Sequence, residues 1–367
     1  MKTKLSIVAL LALFLVTMTS IKKEKFDDTF IVGTPQLLSI NKLAFGPDGI
    51  LFLGDSKSAT VFALDTEDTN KVVKANAVNI SEFDKKIADA LGTEVSNISI
   101  QDMVVNPTSK TLYFSVHTGD GTPVLLKLNG ETISSVSLEN VKYSKTEIND
   151  AVAIDKKDGR GRDQRVWAIS DLKYFDGKVM VSGLSNKEFS STFTSVPFPF
   201  NEKQEQASLE IFHVAHNKSE THAPIKTFTV INEGGKDMIV ASYTCTPLVL
   251  FPLDNLKKGE HVKGKTVAEL GYGNSPLDII SMEKDGKKYF LMSNSNRPLM
   301  KIMQNDVLNF NGSLDMPEGK ITSGVDYVSL PAVNIIQMDK LDDTQFVMLQ
   351  RKSDGDLVLR TDSNKWH

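Results

Sequence analysis

The stretch that decides the fold is Ile40-Asn41-Lys42-Leu43-Ala44-Phe45-Gly46-Pro47-Asp48-Gly49-Ile50-Leu51-Phe52-Leu53-Gly54, followed after a short polar loop by Thr60-Val61-Phe62-Ala63-Leu64. Two apolar runs flank Gly46 to Gly49, whose glycines, proline and aspartate suit a tight reversal. A third apolar run follows, so the plan is strand, turn, strand, loop, strand.

The same plan recurs along the chain. A second copy runs Ile100 to Val105, a turn at Asn106 to Lys110, Thr111 to Val116, a loop at Gly119 to Gly121, and Val124 to Leu128. A third starts at Ile169, turns at Asp176-Gly177 and continues Val179 to Gly183 and Phe193 to Phe198. A fourth starts at Ile225, turns at Gly234-Gly235 and continues Met238 to Tyr243 and Leu248 to Leu253. A fifth starts at Pro276, turns at Asp285-Gly286 and continues Tyr289 to Ser293 and Leu299 to Met303. A sixth starts near Val333, turns at Asp342-Asp343 and continues Gln345 to Leu349 and Leu357 to Thr361. Successive copies begin about 50 to 70 residues apart, room for four short strands and their turns. A sheet of that size cannot bury both faces alone and must stack on its neighbours. The sequence therefore predicts an all-β six-bladed propeller over residues 38–362, with a lead-in at 21–37 and a tail at 363–367. A seventh blade is open if 129–168 hides one.

Two segments break the repeat. Ser81 is expected to cap a helix in which Phe83, Ile87 and Leu91 share one face and Gly92 ends the run, giving a short helix between the first two blades that lies as a cover across one end. In the charged stretch from Asp155 to Arg165, Gly159, Arg160, Gly161 and Arg162 read as a solvated loop or, alternatively, an anion-binding one.

Composition narrows the functional classes. The 367 residues carry 42 Lys+Arg against 46 Asp+Glu, a formal net charge of -4, which argues against a general nucleic-acid binder. Residues 1–20 open with Lys2 and Lys4, continue through an uncharged apolar run to Val16 and close on Thr17 to Ser20, the layout of an export signal. The expectation is an exported protein, periplasmic or extracellular, with no membrane span once that segment is removed. The single cysteine, Cys245, rules out an intramolecular disulfide and a four-cysteine zinc site, and sits in an apolar run that suits a small strand residue.

In a propeller the first strand of each blade lies nearest the axis, and the loops entering these strands share a face with the loops joining second and third strands. The inner-strand starts hold Lys42, Asp102, Asp171, Thr227, Asp278 and Asn334; the positions after the second strands hold Asp55, His117, Asn186, Cys245, Asn294 with Asn296 and Arg297, and Arg351. This polar ring is the expected ligand-binding mouth. Three carboxylates aimed at one axis repel one another unless a cation lies between them, and Ca²⁺ accepts such oxygen ligands. Against that stand two other readings: aspartates that bond the backbone of a neighbouring blade, and direct neutralisation by Lys42 and Arg351. His213, His216 and His222 lie close together beside Glu210 and Glu220, a density that suits Zn²⁺ or Cu²⁺, yet His213 and His216 point opposite ways on a strand unless a turn intervenes. His222, just before an inner strand, is placed near the mouth with His117 as its neighbour. The chain has no G-x-S-x-G, H-E-x-x-H, Walker or G-x-G-x-x-G motif and no haem-attachment C-x-x-C-H.

The six-copy plan, most clearly Leu43-Ala44-Phe45-Gly46-Pro47-Asp48-Gly49, resembles the exported bacterial six-bladed propellers of the broad NHL-repeat and gluconolactonase-like assemblage. That resemblance implies a metal in the mouth, with Asp102, Asp171, Asp278, Asn294 and His222 as its candidate ligands, and a metal-activated water attacking an ester with an aspartate as general base. Two readings follow: a module that binds a small molecule or a protein partner through its mouth without catalysis, and a metal-dependent hydrolase of the lactonase kind.

Overall fold

The computed structural model describes residues 28–316 and 318–366, and residues 1–20, expected from their sequence to direct export, lie outside them. Six sheets form, one from each sequence copy, antiparallel but for one parallel pair in the third between Glu205–His213 and His261–Lys263. Their three inner strands are Lys42–Phe45, Ile50–Asp55 and Thr60–Asp65; Ile98–Val105, Leu112–Thr118 and Pro123–Asn129; Asp171–Phe175, Lys178–Leu184 and Ser191–Pro197; Thr227–Glu233, Lys236–Ser242 and Pro247–Pro252; Pro276–Lys284, Lys287–Asn294 and Met300–Met303; and Ile335–Lys340, Gln345–Arg351 and Leu357–Ser363. Three first turns are two-residue hairpins with both central residues left-handed: Asp176-Gly177 at φ 44 and 74, Gly234-Gly235 at 60 and 78, and Asp285-Gly286 at 52 and 72. Such turns match the twist of paired strands and favour Asp-Gly and Gly-Gly.

The ring does not follow chain order. Contacts between innermost strands run from the first sheet to the third, fourth, fifth and sixth, then to the second and back to the first. The crossing is made by outer strands borrowed across the sequence. After Asp65 the chain lays Asn79–Ile80 on Leu357–Ser363, completing the sixth sheet. It then builds the second sheet, edged by Thr132–Ser135, and returns to lay Val141–Glu147 along Thr60–Asp65. Residues 129–168 thus complete two sheets rather than add a seventh. Ile31–Gly33, upstream of residue 38, pairs with Val141–Glu147 as a further strand of the first sheet.

Each of the six junctions has its own apolar cluster. Phe52 stacks on Tyr174 and meets Phe198 edge-on between the first and third sheets; Phe193 and Phe228 meet between the third and fourth; Phe290 and Val240 lie between the fourth and fifth. Tyr289 and Met348 join the fifth to the sixth, Leu349 and Phe114 the sixth to the second, and Leu51 and Tyr113 the first to the second. Burying one such side chain contributes about 1.5–3 kcal/mol, so these clusters carry most of the cohesion.

The helix, α1 (Phe83–Leu91), departs from expectation in two ways. Its N-cap is Glu82, left-handed at φ 50 with no side-chain capping bond, so Ser81 does not cap it. Nor does it cover an end of the ring. Phe83 and Ile87 are buried between the second and sixth sheets, with Phe83 4.9 Å from Phe114 between ring centroids, and Asp84 accepts the Leu357 amide at 3.1 Å. The apolar face therefore acts as a wedge at the junction where the ring closes. Gly92, at φ 65, terminates it as expected. In the 155–165 loop, Asp158 accepts from the Arg160 and Arg162 amides and from Arg162 Nε at 2.7 Å, so its own carboxylate staples the turn. Among the described residues no helix is long and apolar enough to cross a membrane.

Candidate functional site

Inner strands bring acids and lysines to the hub. Asp102 and Asp278 each follow a β-bulge, where the strand slips register by one residue and re-aims the side chain. Their carboxylates bond across junctions. Asp102 Oδ2 accepts the Leu43 amide of the neighbouring blade at 2.7 Å, Asp171 Oδ2 that of Phe228 at 3.0 Å, and Asp278 Oδ2 that of Met338 at 3.0 Å. Asp339 Oδ2 accepts the Val105 amide at 2.8 Å. The second oxygens of Asp171, Asp278 and Asp339 each accept the amide of the following residue. Four of the six junctions are stapled in this way. At the other two the corresponding positions hold Lys42 and Thr227, and the Thr227 hydroxyl is buried with no hydrogen-bond partner among the described residues.

Two ammonium groups lie among these acids. Lys42 Nζ is 3.7 Å from Asp102 Oδ1, and Lys173 Nζ is 3.9 Å from Asp171 Oδ1. Burial pushes the Asp278 carboxyl up to about 7, against the opposing pull of Lys173. It raises Asp102 and Asp339 as well. On Lys42, burial works downward but the surrounding acids outweigh it and raise the ammonium's affinity for its proton; Lys173 is raised in the same way. Four carboxylates thus face two ammoniums, and Asp102, Asp278 and Asp339 hold protons more tightly than free carboxyls.

This cluster forms the floor of a cavity of about 840 Å³, walled by Phe45, Tyr174 and Met338 and rimmed by Lys71, Lys110, Lys340, Asp342 and Asp343. The rim residues come from the ends of the inner strands and the turns that follow them. The cavity therefore opens on the face opposite the expected mouth.

The structure brings Lys42, Asp102, Asp171 and Asp278 together at this floor and keeps the other candidates away from its lining. His117 Nε2 accepts the Ile40 amide at 3.1 Å, and burial, foremost among its perturbations, lowers the ring's proton affinity. Asp55 accepts from the Leu38 amide and the Ser39 hydroxyl. Asn294 donates to the Met292 and Pro298 carbonyls, and Asn296 to that of Gly273. Arg297 donates to the Tyr272 carbonyl and Arg351 to that of Gly355, while the Asn334 carbonyl accepts the Arg351 amide. Asn294, Asn296, Arg297 and Arg351 fasten neighbouring loop backbone, and His117 ties the second sheet to the segment entering the first. His222 contacts Ser190 Oγ at 3.3 Å, apart from His213 and His216, which the turn Val214–His216 folds together with ring centroids 4.0 Å apart. Sequence reasoning missed Lys173 and Asp339. Lys173 stands two residues beyond Asp171 and so on the same strand face, a period-two signal that was readable.

A hub Ca²⁺, as the family resemblance implies, does not fit this donor set. Except for Asp102 Oδ1, the carboxylate oxygens accept backbone amides, and ammoniums lie within 4 Å of Asp102 and Asp171. Asn294 and His222, the other two residues named for that ion, are outside the cavity.

No family model matches the chain, and neither does any curated protein sequence. Among solved structures, a chain of a mitotic checkpoint complex is similar over 90% of this chain and 90% of its own, with a TM-score of 0.38 and 8% identity. A putative oxidoreductase (glucose dehydrogenase) from Thermus thermophilus is matched over 90% of this chain and 99% of its own, at TM-score 0.31 and 10% identity. PorZ, a bacterial surface component of the type-IX secretion system of Porphyromonas gingivalis, is matched over 91% of this chain and 39% of its own, at TM-score 0.36 and 8% identity. Likenesses this distant carry no argument about activity.

Proposed function

We propose that the chain is an exported propeller of the broad NHL-repeat and gluconolactonase-like assemblage that binds a small polar ligand at its hub without turning it over. The ligand would carry an ammonium or guanidinium group. One observation carries this reading: a cavity of about 840 Å³, within the size range of small-molecule sites, whose floor holds four carboxylates and only two lysines. An organic cation supplies the positive charge that the acids otherwise draw from protons. Export rests on the layout of residues 1–20. The lactonase reading loses support because the hub acids are occupied by backbone amides and lysines.

The test is thermal unfolding of the full chain with small diamines, arginine and guanidinium compounds on one side and gluconate, citrate and lactones on the other. A cation present at 100 times its dissociation constant should stabilise by about 2.7 kcal/mol, and the Asp278→Asn variant should lose most of that gain. Stabilisation by anions alone, or turnover of a lactone that chelation abolishes, would refute the reading in favour of the hydrolase. A shift produced only by another protein would instead select the protein-partner form of the binding module.

A further inference from the structure

Away from the hub, the junction of the third and fourth sheets gathers a second set of donors. His213 ends the strand Glu205–His213, and the turn Val214–His216 brings His216 back against it. Glu220, on the short strand Lys218–Glu220, contacts both Nδ1 atoms, at 3.0 Å from His213 and 2.7 Å from His216. One carboxylate thereby fixes both rings and leaves both Nε2 atoms for another partner, the arrangement in which metal-ligating histidines are usually held. Cys245 reaches the same place from the loop between Lys236–Ser242 and Pro247–Pro252 of the fourth sheet. One ligand atom from each of His213, His216 and Cys245 lies within 4.8 Å of the others.

Among the described residues, two buried polar atoms there lack partners. His213 is 3% exposed and its Nε2 has no hydrogen-bond partner; Glu269 is fully buried and its Oε1 has none. Glu269 Oε2 stands 3.7 Å from His213 Nε2. That is too long for a hydrogen bond. The loop is held in an unfavourable conformation, with Cys245 at φ 68 and Thr246 at φ 62, neither of them glycine. The Cys245 amide is tied to the Asn274 carbonyl at 2.7 Å.

We propose that His213, His216 and Cys245 form a zinc-type divalent metal site that clamps the third sheet to the fourth. Two imidazoles and a thiolate suit Zn²⁺ in kind, with water as the fourth ligand. The thiolate and the buried Glu269 carboxylate beside His213 would balance its charge. His216 is half-exposed, so an ion has a route in. Binding would displace the thiol proton and give the orphaned His213 Nε2 a partner.

The experiment uses the full chain freed of metal with a chelator and titrated with Zn²⁺, then with Co²⁺ as a spectroscopic substitute. One ion per chain is expected, the cobalt form showing the strong visible bands of a tetrahedral site and a thiolate charge-transfer band. His216→Ala and Cys245→Ser should each weaken Zn²⁺ binding about 100-fold or more, and Glu220→Gln about 10–100-fold. Because Cys245 is the chain's single cysteine, alkylation of the wild-type thiol gives a readout that needs no variant. One equivalent of Zn²⁺ should slow that reaction at least about tenfold. An unslowed alkylation rate overturns the proposal, as does stoichiometric binding that persists unchanged in folded His216→Ala and Cys245→Ser proteins.

Discussion

Replacing Asp278 by asparagine tests the charge state of the hub directly. The carboxyl titrates near 7 in the fold against an ordinary value of 3.8, with burial as the leading cause. Between those two pH values the unfolded chain has lost a proton that the folded chain keeps, so wild-type stability falls as pH rises and levels off above about 7. Each pH unit in that window is worth roughly 1.4 kcal/mol. Lys173 is one-third exposed and the acids titrate as a group, so the slope is discounted and a total of about 1–3 kcal/mol is expected between pH 5 and 8. Asparagine keeps an oxygen for one backbone amide and presents an NH₂ group to the other, at a cost of about 1–3 kcal/mol. The variant should therefore be less stable than wild type at pH 5 and reach parity or better at pH 8. Urea unfolding at four pH values from 5 to 8 measures the gap. A gap constant within about 0.5 kcal/mol, or one that widens with pH, refutes the reasoning.

Two further substitutions probe the hub and the blade packing. Lys173→Met removes the ammonium 3.9 Å from Asp171; discounted for exposure, it should cost about 1–2 kcal/mol at pH 8 and less at pH 5 as the neighbouring acids take up protons, and equal losses in thermal scans at the two values would count against it. Gly183→Ala places a Cβ 2.2 Å from the Ala168 carbonyl oxygen, a backbone atom that cannot rotate away, so a loss of about 2–3 kcal/mol in urea unfolding is expected and a loss under about 0.5 kcal/mol is inconsistent with this packing.

The blades were legible because their information is local. Asp176-Gly177, Gly234-Gly235 and Asp285-Gly286 mark hairpins through a backbone conformation that few other residues adopt, and alternation fixes which strand face is buried. The ring order was not legible. Asn79–Ile80 and Val141–Glu147 join sheets whose other strands lie far away in sequence or across an intervening blade, and nothing in their composition names a partner. The same division holds at the hub. Lys42, Asp102, Asp171 and Asp278 emerge from the repeat register, whereas His117, Asn294 and Arg351 share that register and yet are taken up by loop backbone. His213 and His216 meet only through a turn, Val214–His216, that no glycine or proline announces. Glu269 joins them from a separate outer strand, Lys265–Glu269.

The hub carboxylates hold the ring and charge the cavity at once, and magnitudes decide which role explains their presence. A backbone amide bonded to a carboxylate contributes about 1.5–3 kcal/mol net, while taking that carboxylate out of water costs several kcal/mol, only partly offset by a lysine 3.7–3.9 Å away. The raised Asp102, Asp278 and Asp339 carboxyls register that deficit. Cohesion is already supplied by six apolar junction clusters, so stapling alone does not account for four acids on the axis. A hub of well-packed apolar side chains would close the ring at no such cost. On the proposed reading a ligand cation completes their neutralisation, and ring closure and recognition would then be two uses of the same oxygens.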